Sequence, residues 1–247
     1  QSLLLLYGWG RFQLYGCIGR MNESGKDCML FFAKYPKKGE VKKRLSAVLG
    51  DDLTVELYKN FVIDSLVTLK ESSVQLLLCC YPPESQKRFA EWLGMNYSYV
   101  PQQGADLGQR MKDCFVNAFD SGFQFVVAIG SDIPDLPCEF IKEAFSSLKT
   151  HDVVIGPSFD GGYYLIGFRE NKFIPEAFDG IDWGTHTVFH DTLTVLQNAR
   201  CKVHTLPKWS DIDTIADLKY LIDRNQNTEF RNSKTISYLS KIAGLLT

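Results

Sequence analysis

The sequence lacks a strong excess of either charge, because 27 Lys and Arg residues nearly balance 29 Asp and Glu residues and leave a formal net charge of −2. Proteins that bind nucleic acid through bulk charge carry a clear positive excess, so we expect no nucleic-acid partner. The sequence also lacks a long hydrophobic run. The apolar stretch LLLL at 3–6 is too short to span a membrane and has no basic segment before it, so we expect no membrane partner.

Cysteine patterns that bind metal are missing as well. The seven cysteines include no Cys-x-x-Cys pair and no Cys/His ligand spacing. Cys79 and Cys80 are adjacent within the apolar run VQLLLCCY, where burial as small hydrophobic residues is expected. These features favour reduced, structural thiols in a cytoplasmic protein.

From Cys28 onward the sequence alternates between strand-like and helix-like segments. Continuous apolar runs such as CMLFFAKY, SVQLLLCCY and FQFVVAIGS are typical of strands that are buried on both faces. Segments with helical spacing of apolar residues separate them, as in DDLTVELYKNFVIDSLVTLK. This alternation predicts right-handed β-α-β units and a mostly parallel sheet flanked by helices. DGGYYLIGF alternates in character and is compatible with an antiparallel strand.

The domain boundaries follow from the same pattern. Met21 begins a polar stretch that leads into the first predicted strand, so we expect residues 1–27 to be an extension outside the fold. Residues 28–225 are predicted to form one α/β domain. Residues 226–247 are polar and then mildly amphipathic, and are expected to form a helical tail.

A cation-rich loop, KYPKKGEVKKRL, follows the first predicted strand. Backbone N–H groups of such a Pro/Gly loop at the start of a helix can donate hydrogen bonds to phosphate oxygens, and its cations neutralise phosphate charge. A solvated basic turn is the alternative, and the loop alone does not separate the two.

Two further segments offer carboxylates. GSDIPDLP delivers Asp132 to the C-terminal edge of the sheet, where parallel α/β folds bind ligands. Mg²⁺ takes few protein carboxylates and keeps positions for phosphate oxygens and water, so Asp132 could be a ligand, although Ser131 or Asp135 could instead cap the next helix. WSDIDTIADL places Asp211 and Asp213 before another helix. Asp213 is either a second ligand or an N-cap, and the isolated motif favours the cap.

Two glycine-containing segments complete the set. The turn at 160–162, Asp-Gly-Gly, is either a hairpin turn or a place where a ligand approaches the backbone closely. Gln102 and Gln103 precede Gly104 at a predicted strand end. Their amides could bind a planar base, and a plain loop explains the segment nearly as well.

Taken in order, these segments resemble an uncharacterised bacterial family of the nucleotide-diphospho-sugar transferase superfamily. The segments that carry the resemblance are KYPKKGEVKKRL, QQGADLGQRM, GSDIPDL, DGGYYLIG, WGT and DIDTIADL, and they span about residues 28–225. The layout is also similar to that of 2-phospholactate guanylyltransferases, and more distantly to molybdenum-cofactor guanylyltransferases and sugar-nucleotide cytidylyltransferases. The resemblance implies a single-domain, Rossmann-like glycosyltransferase-A fold.

The resemblance further implies a set of site residues. Metal, either Mg²⁺ or Mn²⁺, would be bound by Asp132 and Asp213. Catalytic roles would fall to Asp132, Lys42, Arg44 and Asp160. The nucleotide would be bound by Lys34, Gly39, Lys42, Arg44, Gln103, Gly104 and Ser131. The acceptor would be bound by Asp160, Gly161, Gly162, Trp183 and Thr185.

One position departs from the family pattern. The threonine of the family's K-T-R-L segment is Lys43 in this sequence. A hydroxyl is thereby replaced by a cation, which either adds a phosphate contact or points to solvent and weakens the site.

The sequence as a whole predicts a metal-dependent transferase that takes a nucleotide or sugar-nucleotide donor and a small-molecule acceptor. Transfer of a sugar from a sugar nucleotide is the favoured reaction. The first alternative is a nucleotidyltransferase that moves NMP from an NTP to a phosphorylated acceptor, which the many cations of the loop support. The second is a catalytically silent nucleotide-binding protein. His186 and His190 have the i, i+4 spacing of metal ligands, but no nearby carboxylate completes a set, so we expect exposed or capping roles.

Overall fold

The structure is a computed structural model that describes residues 26–246. The strands of this part of the chain are β1 Asp27–Lys34, β2 Gln75–Tyr81, β3 Ser98–Pro101, β4 Phe125–Gly130, β5 Val153–Pro157, β6 Tyr163–Arg169 and β7 Val203–Thr205. The α-helices are α1 Lys43–Leu49, α2 Asp51–Glu71, α3 Gln86–Leu93, α4 Leu107–Asp120, α5 Cys138–Leu148, α6 Val188–Asn198, α7 Ile215–Arg224 and α8 Lys234–Lys241. The predicted alternation of strands and helices is confirmed.

All of the described strands belong to one sheet with the order β3-β2-β1-β4-β6-β5-β7. Strand β6 runs antiparallel to both β4 and β5, whereas the other neighbouring pairs are parallel. The fold class is therefore the predicted one, an α/β fold with a mostly parallel sheet, and the segment DGGYYLIGF supplies the antiparallel strand.

The sheet is buried on both faces, which explains the unbroken apolar runs. Within β1, Met29 and Phe31 belong to the core on one face, and Cys28 and Leu30 belong to the core on the other. Side chains of successive strand residues point to opposite faces, so a strand between two helical layers needs apolar residues at every position. The described cysteines are free, and most of them are buried, in keeping with the expected structural role.

The crossover connections place the site. From β1 the chain crosses to β2 on one side, and later returns to place β4 on the other side of β1. Adjacent parallel strands whose connections leave in opposite directions open a crevice at their carboxyl ends, and α/β proteins bind ligands there. Phe32 of β1 pairs with Gly130 of β4, so the cation-rich loop and the GSDIPD segment emerge side by side.

The C-terminal residues pack onto the domain. Asp64 of α2 accepts hydrogen bonds from the backbone N–H groups of Lys234 (3.1 Å) and Thr235 (2.7 Å), at the start of α8. Leu239 and Ile242 are buried in the same core as α2. The predicted tail thus contains a helix whose apolar side adds to the core.

The predicted N-terminal extension lies almost wholly outside the described residues, and its assignment stays a prediction. Asp27, its last residue, already pairs with Phe125 in the sheet. None of the described helices combines the length and the apolar character that crossing a bilayer requires.

Candidate functional site

Lys42 lies at the centre of the crevice between β1 and β4. Its side chain is only 4% exposed, and its Nζ lies 2.7 Å from Asp132 Oδ1 and 2.9 Å from Asp213 Oδ1. Burial lowers the pKa of Lys42, but the two carboxylates outweigh burial, so the pKa is raised above its usual value. The ammonium therefore holds together two carboxylates that are far apart in the sequence.

The backbone of Lys42 is in the left-handed region, with φ 44° and ψ 53°. A residue with a Cβ rarely adopts this conformation, and residues that do so are enriched at binding sites. Lys42 immediately precedes α1, so this turn of the chain points its side chain into the crevice while α1 begins at Lys43.

Asp213 reaches the crevice because another residue caps α7. Thr214 accepts a hydrogen bond from Asp217 N, and the Asp217 carboxylate accepts one from Thr214 N. The preference for Asp213 as the N-cap is thus wrong, since this reciprocal capping box begins one residue later. Burial would raise the pKa of Asp213, but Lys42 and the more exposed Arg44 lower it below its usual value.

The two aspartates of the GSDIPD segment have different roles. Asp132 is half exposed and faces the crevice, whereas the side chain of Asp135 is fully buried. Asp135 accepts two 2.7 Å hydrogen bonds from Arg224 and one of 2.7 Å from Asn225. Helix α5 begins after Pro137 without a side-chain cap, so Asp135 does not cap it. Asp135 instead ties the end of β4 to α7.

Ser131 does not cap α5 either, because its hydroxyl bonds to a tyrosine of α2. The Ser131 Oγ lies 2.7 Å from the Tyr58 hydroxyl, which also accepts a 2.9 Å hydrogen bond from the backbone N–H of Lys34. Burial and then the nearby Asp132 raise the pKa of Tyr58. This tyrosine therefore joins the ends of β1 and β4.

Two cavities meet at Asp132. The first has a volume of about 550 Å³ and is rich in cations. The charged residues that line it are Lys34, Lys42, Lys43, Arg44, Arg110, Glu40, Asp132 and Asp213. Lys43, which replaces the family threonine, is exposed on this lining. The cavity can therefore accept a strongly anionic group.

Arg110 is a residue of this cavity that was not among the predicted site residues. Its guanidinium lies 4.3 Å from the centre of the Tyr81 ring, and its Nε is buried without a hydrogen-bond partner. A buried donor without a partner costs free energy, and a ligand in the cavity could satisfy it. The signal that could have identified Arg110 is its position within QQGADLGQRM, a few residues after the two amides.

The predicted base-binding residues have different environments. Gln102 is buried, and its amide nitrogen donates a 2.7 Å hydrogen bond to the carbonyl of Cys79, so this side chain holds the sheet edge. Gln103 is exposed and lines neither cavity. A Cβ at Gly104, whose φ is +133°, would lie 2.7 Å from the Gln109 Cβ. Gly104 is therefore needed for the close approach of the loop to α4, and Gln103 remains a prediction.

Gly39 and Lys34 lie on the predicted phosphate loop. Gly39 has φ +70°, a conformation that favours glycine, and it lines neither cavity. The Lys34 ammonium lies 3.7 Å from Glu40 and 5.8 Å from the Tyr81 ring centre. Glu40 therefore competes with any phosphate for Lys34, a contact that the sequence pattern did not indicate.

The second cavity has a volume of about 360 Å³ and lies on the β6 side of Asp132. Several of the predicted acceptor residues line it, namely Asp160, Gly162, Trp183 and Thr185. Asp160 Oδ1 accepts hydrogen bonds from the Ser158 hydroxyl and from Gly162 N, the latter at 2.9 Å. The turn that carries Asp160 is thus rigidly held at the mouth of β6.

Gly161 has a structural reason to be glycine. Its φ is +93°, and a Cβ at this position would overlap the carbonyl of His186. Its own carbonyl accepts a 2.9 Å hydrogen bond from Phe189 N. Gly161 thus docks the start of α6 beside the second cavity, while Thr185 donates to the carbonyl of Asp182 at 2.8 Å.

Asp211 is a second residue that was not among the predicted site residues. It lines the second cavity together with Asp132 and Asp160. Burial, and then the negative charges of Asp160 and Asp213, raise its pKa to about 6. The sequence showed Asp211 beside Asp213, but only the folded chain brings it next to Asp160.

Metal binding by protein groups alone finds no support in the described part of the chain, where no cluster of three His, Cys, Asp or Glu residues could hold an ion. His186 and His190 are both exposed, as expected. The assignment of Asp132 and Asp213 as metal ligands remains a prediction.

Comparison with known proteins identifies relatives of the whole domain. The chain is 45% identical to a "putative nucleotide-diphospho-sugar transferase" from Desulfovibrio desulfuricans G20, with 90% of this chain and 97% of that chain covered and a TM-score of 0.87. It also resembles 4-diphosphocytidyl-2C-methyl-D-erythritol synthase from Anaerococcus prevotii DSM 20548, at 13% identity, coverage of 83% and 100%, and a TM-score of 0.54.

A cytidylyltransferase from Leptospira borgpetersenii serovar Hardjo-bovis has 19% identity, coverage of 90% and 96%, and a TM-score of 0.50. The last two likenesses show a shared fold. Residues 65–185 match the family described as "Uncharacterized protein conserved in bacteria (DUF2064)". With that match and the extent of its identity to the Desulfovibrio protein, the chain belongs to the bacterial DUF2064 family and has the nucleotide-diphospho-sugar transferase fold.

Proposed function

We propose that this protein is a metal-dependent transferase that takes a sugar nucleotide as donor and transfers the sugar to a small-molecule acceptor. The observation that carries the proposal is the meeting of two cavities of opposite character at Asp132. The cation-lined cavity suits the phosphates of an activated donor, and the acid-lined cavity suits a separate acceptor. Membership in a family with a relative described as a "putative nucleotide-diphospho-sugar transferase" supports the same function.

The charge pattern of the first cavity supports binding of a nucleotide's phosphates. Lys42 is already charged and fixed by two carboxylates, while Arg44 is largely exposed, and Arg110 has an unsatisfied Nε. A diphosphate that entered the cavity would gain charge-assisted hydrogen bonds from these groups. We expect Lys42 to exchange part of its contact with the carboxylates for a contact with phosphate.

Asp132 and Asp213 fit a divalent cation whose remaining ligands come from the donor. Their carboxylates converge on one cationic atom, Lys42 Nζ, which shows that the pair can surround a positive charge. Mg²⁺ is often held by one or two carboxylates plus substrate phosphates and water, and this agrees with the lack of a three-residue cluster in the described chain. The bound ion would supply neutralisation of the charge that develops on the leaving diphosphate.

The second cavity favours sugar transfer over nucleotidyl transfer. An acceptor hydroxyl has to lose its proton as it attacks, and a carboxylate within reach can accept it. Asp160 and Asp211 face this cavity. A phosphorylated acceptor is already anionic, needs no base, and would be repelled by these side chains.

Nucleotidyl transfer remains the second candidate because of one observation. Among residues 26–246, five cationic and three acidic residues line the first cavity, and this excess of cations suits a triphosphate as well as a diphosphate. In that reaction the acceptor would attack the α-phosphorus and pyrophosphate would leave.

The experiment that tests the proposal is a thermal-shift titration of the full chain. Sugar nucleotides and nucleoside triphosphates are compared, each with MgCl₂, with MnCl₂ or with EDTA. A ligand at a hundredfold excess over its Kd stabilises the folded state by about 2.7 kcal/mol, which raises the Tm of a chain of this size by roughly 5–10 °C. We expect a metal-dependent rise with one sugar nucleotide.

Asp132→Asn and Asp120→Asn are the matched variants. Asp120 is an exposed aspartate at the end of α4 that lines neither cavity, so its loss should leave the ligand-induced rise intact. Asp132→Asn should abolish the metal-dependent part. A rise with one triphosphate and no sugar nucleotide would move the assignment to nucleotidyl transfer. If no nucleotide stabilises the folded wild-type chain, the transferase proposal is refuted. The alternative of a catalytically silent nucleotide-binding protein would then have no ligand either.

A further inference from the structure

The second cavity differs from the first in the sign of its charge. Three carboxylates line it, those of Asp132, Asp160 and Asp211. No Lys, Arg or His side chain of residues 26–246 is part of its lining. An anion that entered this cavity would therefore lose its hydration and face the carboxylates of Asp160 and Asp211. Lys42 offsets the charge of Asp132 from the side of the first cavity and is not part of this lining.

Two of these three carboxylates, those of Asp160 and Asp132, are held in place by contacts within the chain. Asp160 uses one oxygen, Oδ1, to accept from both Ser158 and Gly162 N. Asp132 is fixed by Lys42 on the side of the first cavity, and its carbonyl accepts a 2.9 Å hydrogen bond from Ile212 N. Rotation of either carboxylate away from an anion would break these contacts.

The remaining walls are apolar and aromatic. Tyr163 and Trp183 lie edge to face with their ring centres 6.2 Å apart, and Phe32, Leu107 and Met111 extend the apolar surface. A cavity of about 360 Å³ is at the small end of the range for sites that take small molecules. It thus suits a compact molecule that has an apolar face and a few hydrogen-bond donors.

We infer that the acceptor is a small, non-anionic molecule, neutral or cationic, that presents hydroxyl or amine donors to Asp160 and Asp211 and an apolar face to Trp183. The inference rests on the proposed function and deepens it, because it excludes phosphorylated and carboxylated acceptors. In the reaction, the acceptor oxygen or nitrogen forms a bond to the anomeric carbon while the bond from that carbon to the diphosphate oxygen breaks. The acceptor's proton passes to a carboxylate of the cavity, and the bonding electrons leave with the nucleoside diphosphate.

The test measures the charge preference of the cavity directly and does not require the acceptor to be identified. Thr185→Cys places a thiol on the wall of the second cavity, with Val188→Cys as a second position on the same wall should the first variant not fold. Each variant reacts with cationic 2-(trimethylammonium)ethyl methanethiosulfonate or with anionic 2-sulfonatoethyl methanethiosulfonate, and intact mass spectrometry follows the rate. The wild-type rate is first subtracted from each rate. The ratio of the cationic rate to the anionic rate is then divided by the same ratio for a free thiol, which gives the normalised preference.

Thr194→Cys is the matched control, since Thr194 is an exposed threonine of α6 outside both cavities. We expect a normalised preference for the cationic reagent of about tenfold at the cavity position, because enclosed fixed charges produce potentials of several kT. The preference should fall when Asp160→Asn is added and as salt screens the charges. The control position should show a ratio close to one.

A normalised ratio near one at the cavity position, or a preference for the anionic reagent, would overturn the inference. That result is distinct from failure of the proposed function, which the nucleotide titration measures at the other cavity. If the protein binds metal and sugar nucleotide but shows no preference for the cationic reagent, the proposed transferase function stands and the inferred acceptor class is refuted. If the protein binds no nucleotide, both the proposed function and the inferred acceptor class are refuted.

Discussion

Asp132 and Asp135 lie three residues apart in one motif, and the structure predicts opposite consequences for their removal. Asp135 has no exposed side-chain area and is bonded by Arg224, whose side chain is 12% exposed. Asp132 is 51% exposed and shares Lys42 with Asp213. We expect Asp135→Ala to lower stability strongly, and Asp132→Ala to lower nucleotide binding while stability changes little.

The magnitude at Asp135 follows from what is left behind. Asp135→Ala removes the acceptor of both guanidinium hydrogen bonds and leaves Arg224 almost buried without a counter-charge. Loss of one partner of a buried ion pair costs about 3–5 kcal/mol. Because each kcal/mol lowers the Tm of a chain of this size by about 2–4 °C, the variant should melt roughly 6–20 °C below the wild type.

An exposed ion pair of similar length serves as the control. Lys112 Nζ lies 2.9 Å from Asp179 Oδ2, and their side chains are 36% and 52% exposed. Exposed pairs contribute about 0–1 kcal/mol, so Asp179→Ala should change the Tm by less than about 4 °C. Asp132→Ala should behave like this control, since Lys42 keeps Asp213 as its partner.

The assay is thermal and urea unfolding followed by circular dichroism, in parallel with the metal-dependent nucleotide titration. If Asp135→Ala and Asp179→Ala lower the free energy of unfolding equally, burial does not decide the strength of these pairs, and the prediction is refuted. If Asp132→Ala destabilises the chain as strongly as Asp135→Ala, the half-exposed carboxylate has a structural role and its assignment to metal loses its basis.

Three further predictions concern single residues. Lys42→Met should weaken binding of the metal-nucleotide complex at least tenfold, because it removes the buried cation of the first cavity. Lys37 lies outside the lining, so Lys37→Met should leave the Kd measured by calorimetry unchanged. Arg110→Ala should weaken a nucleoside diphosphate more than the free nucleoside in the same titration, and equal losses would contradict a phosphate contact for this guanidinium. Gly161→Ala should lower the free energy of unfolding by more than Gly180→Ala, since both have positive φ but only Gly161 has a backbone carbonyl in the space of the new methyl group. A urea titration that gives equal losses for the two glycine variants would show that backbone strain alone determines the cost.

The sequence was sufficient for the fold because the pattern that encodes it is local. Residues 28–34 alternate between two cores and are therefore apolar at nearly every position, and a strand of that kind is recognisable from its own residues. The helix α2, predicted within the segment 51–70, extends over Asp51–Glu71 because its apolar residues recur at helical spacing. The antiparallel direction of β6 was also expected, but this strand is buried at nearly every position, as the parallel strands β1 and β4 are, so its burial does not distinguish its direction.

The sequence also placed Asp132 at the end of a strand, where α/β folds bind ligands. It could not decide the roles of the polar residues near it, because those roles depend on partners that are distant in the chain. In the sequence Asp135 resembles a helix cap, whereas in the structure it accepts a hydrogen bond from Arg224. In the sequence Asp213 also resembles a helix cap, whereas in the structure Thr214 is the N-cap of α7.

Only the tertiary structure decided the division of charge between the two cavities. Lys42 meets Asp213 across 171 positions of the sequence. Asp211 faces Asp160 only after β6 has paired with β4 and Ile212 N has bonded to the carbonyl of Asp132. Contacts of this range have no periodicity and no local propensity, so no sequence window contains them. The sequence by itself determined the sheet and the edge at which the site lies, whereas the folded chain determined which charges meet there and so which chemistry the site can support.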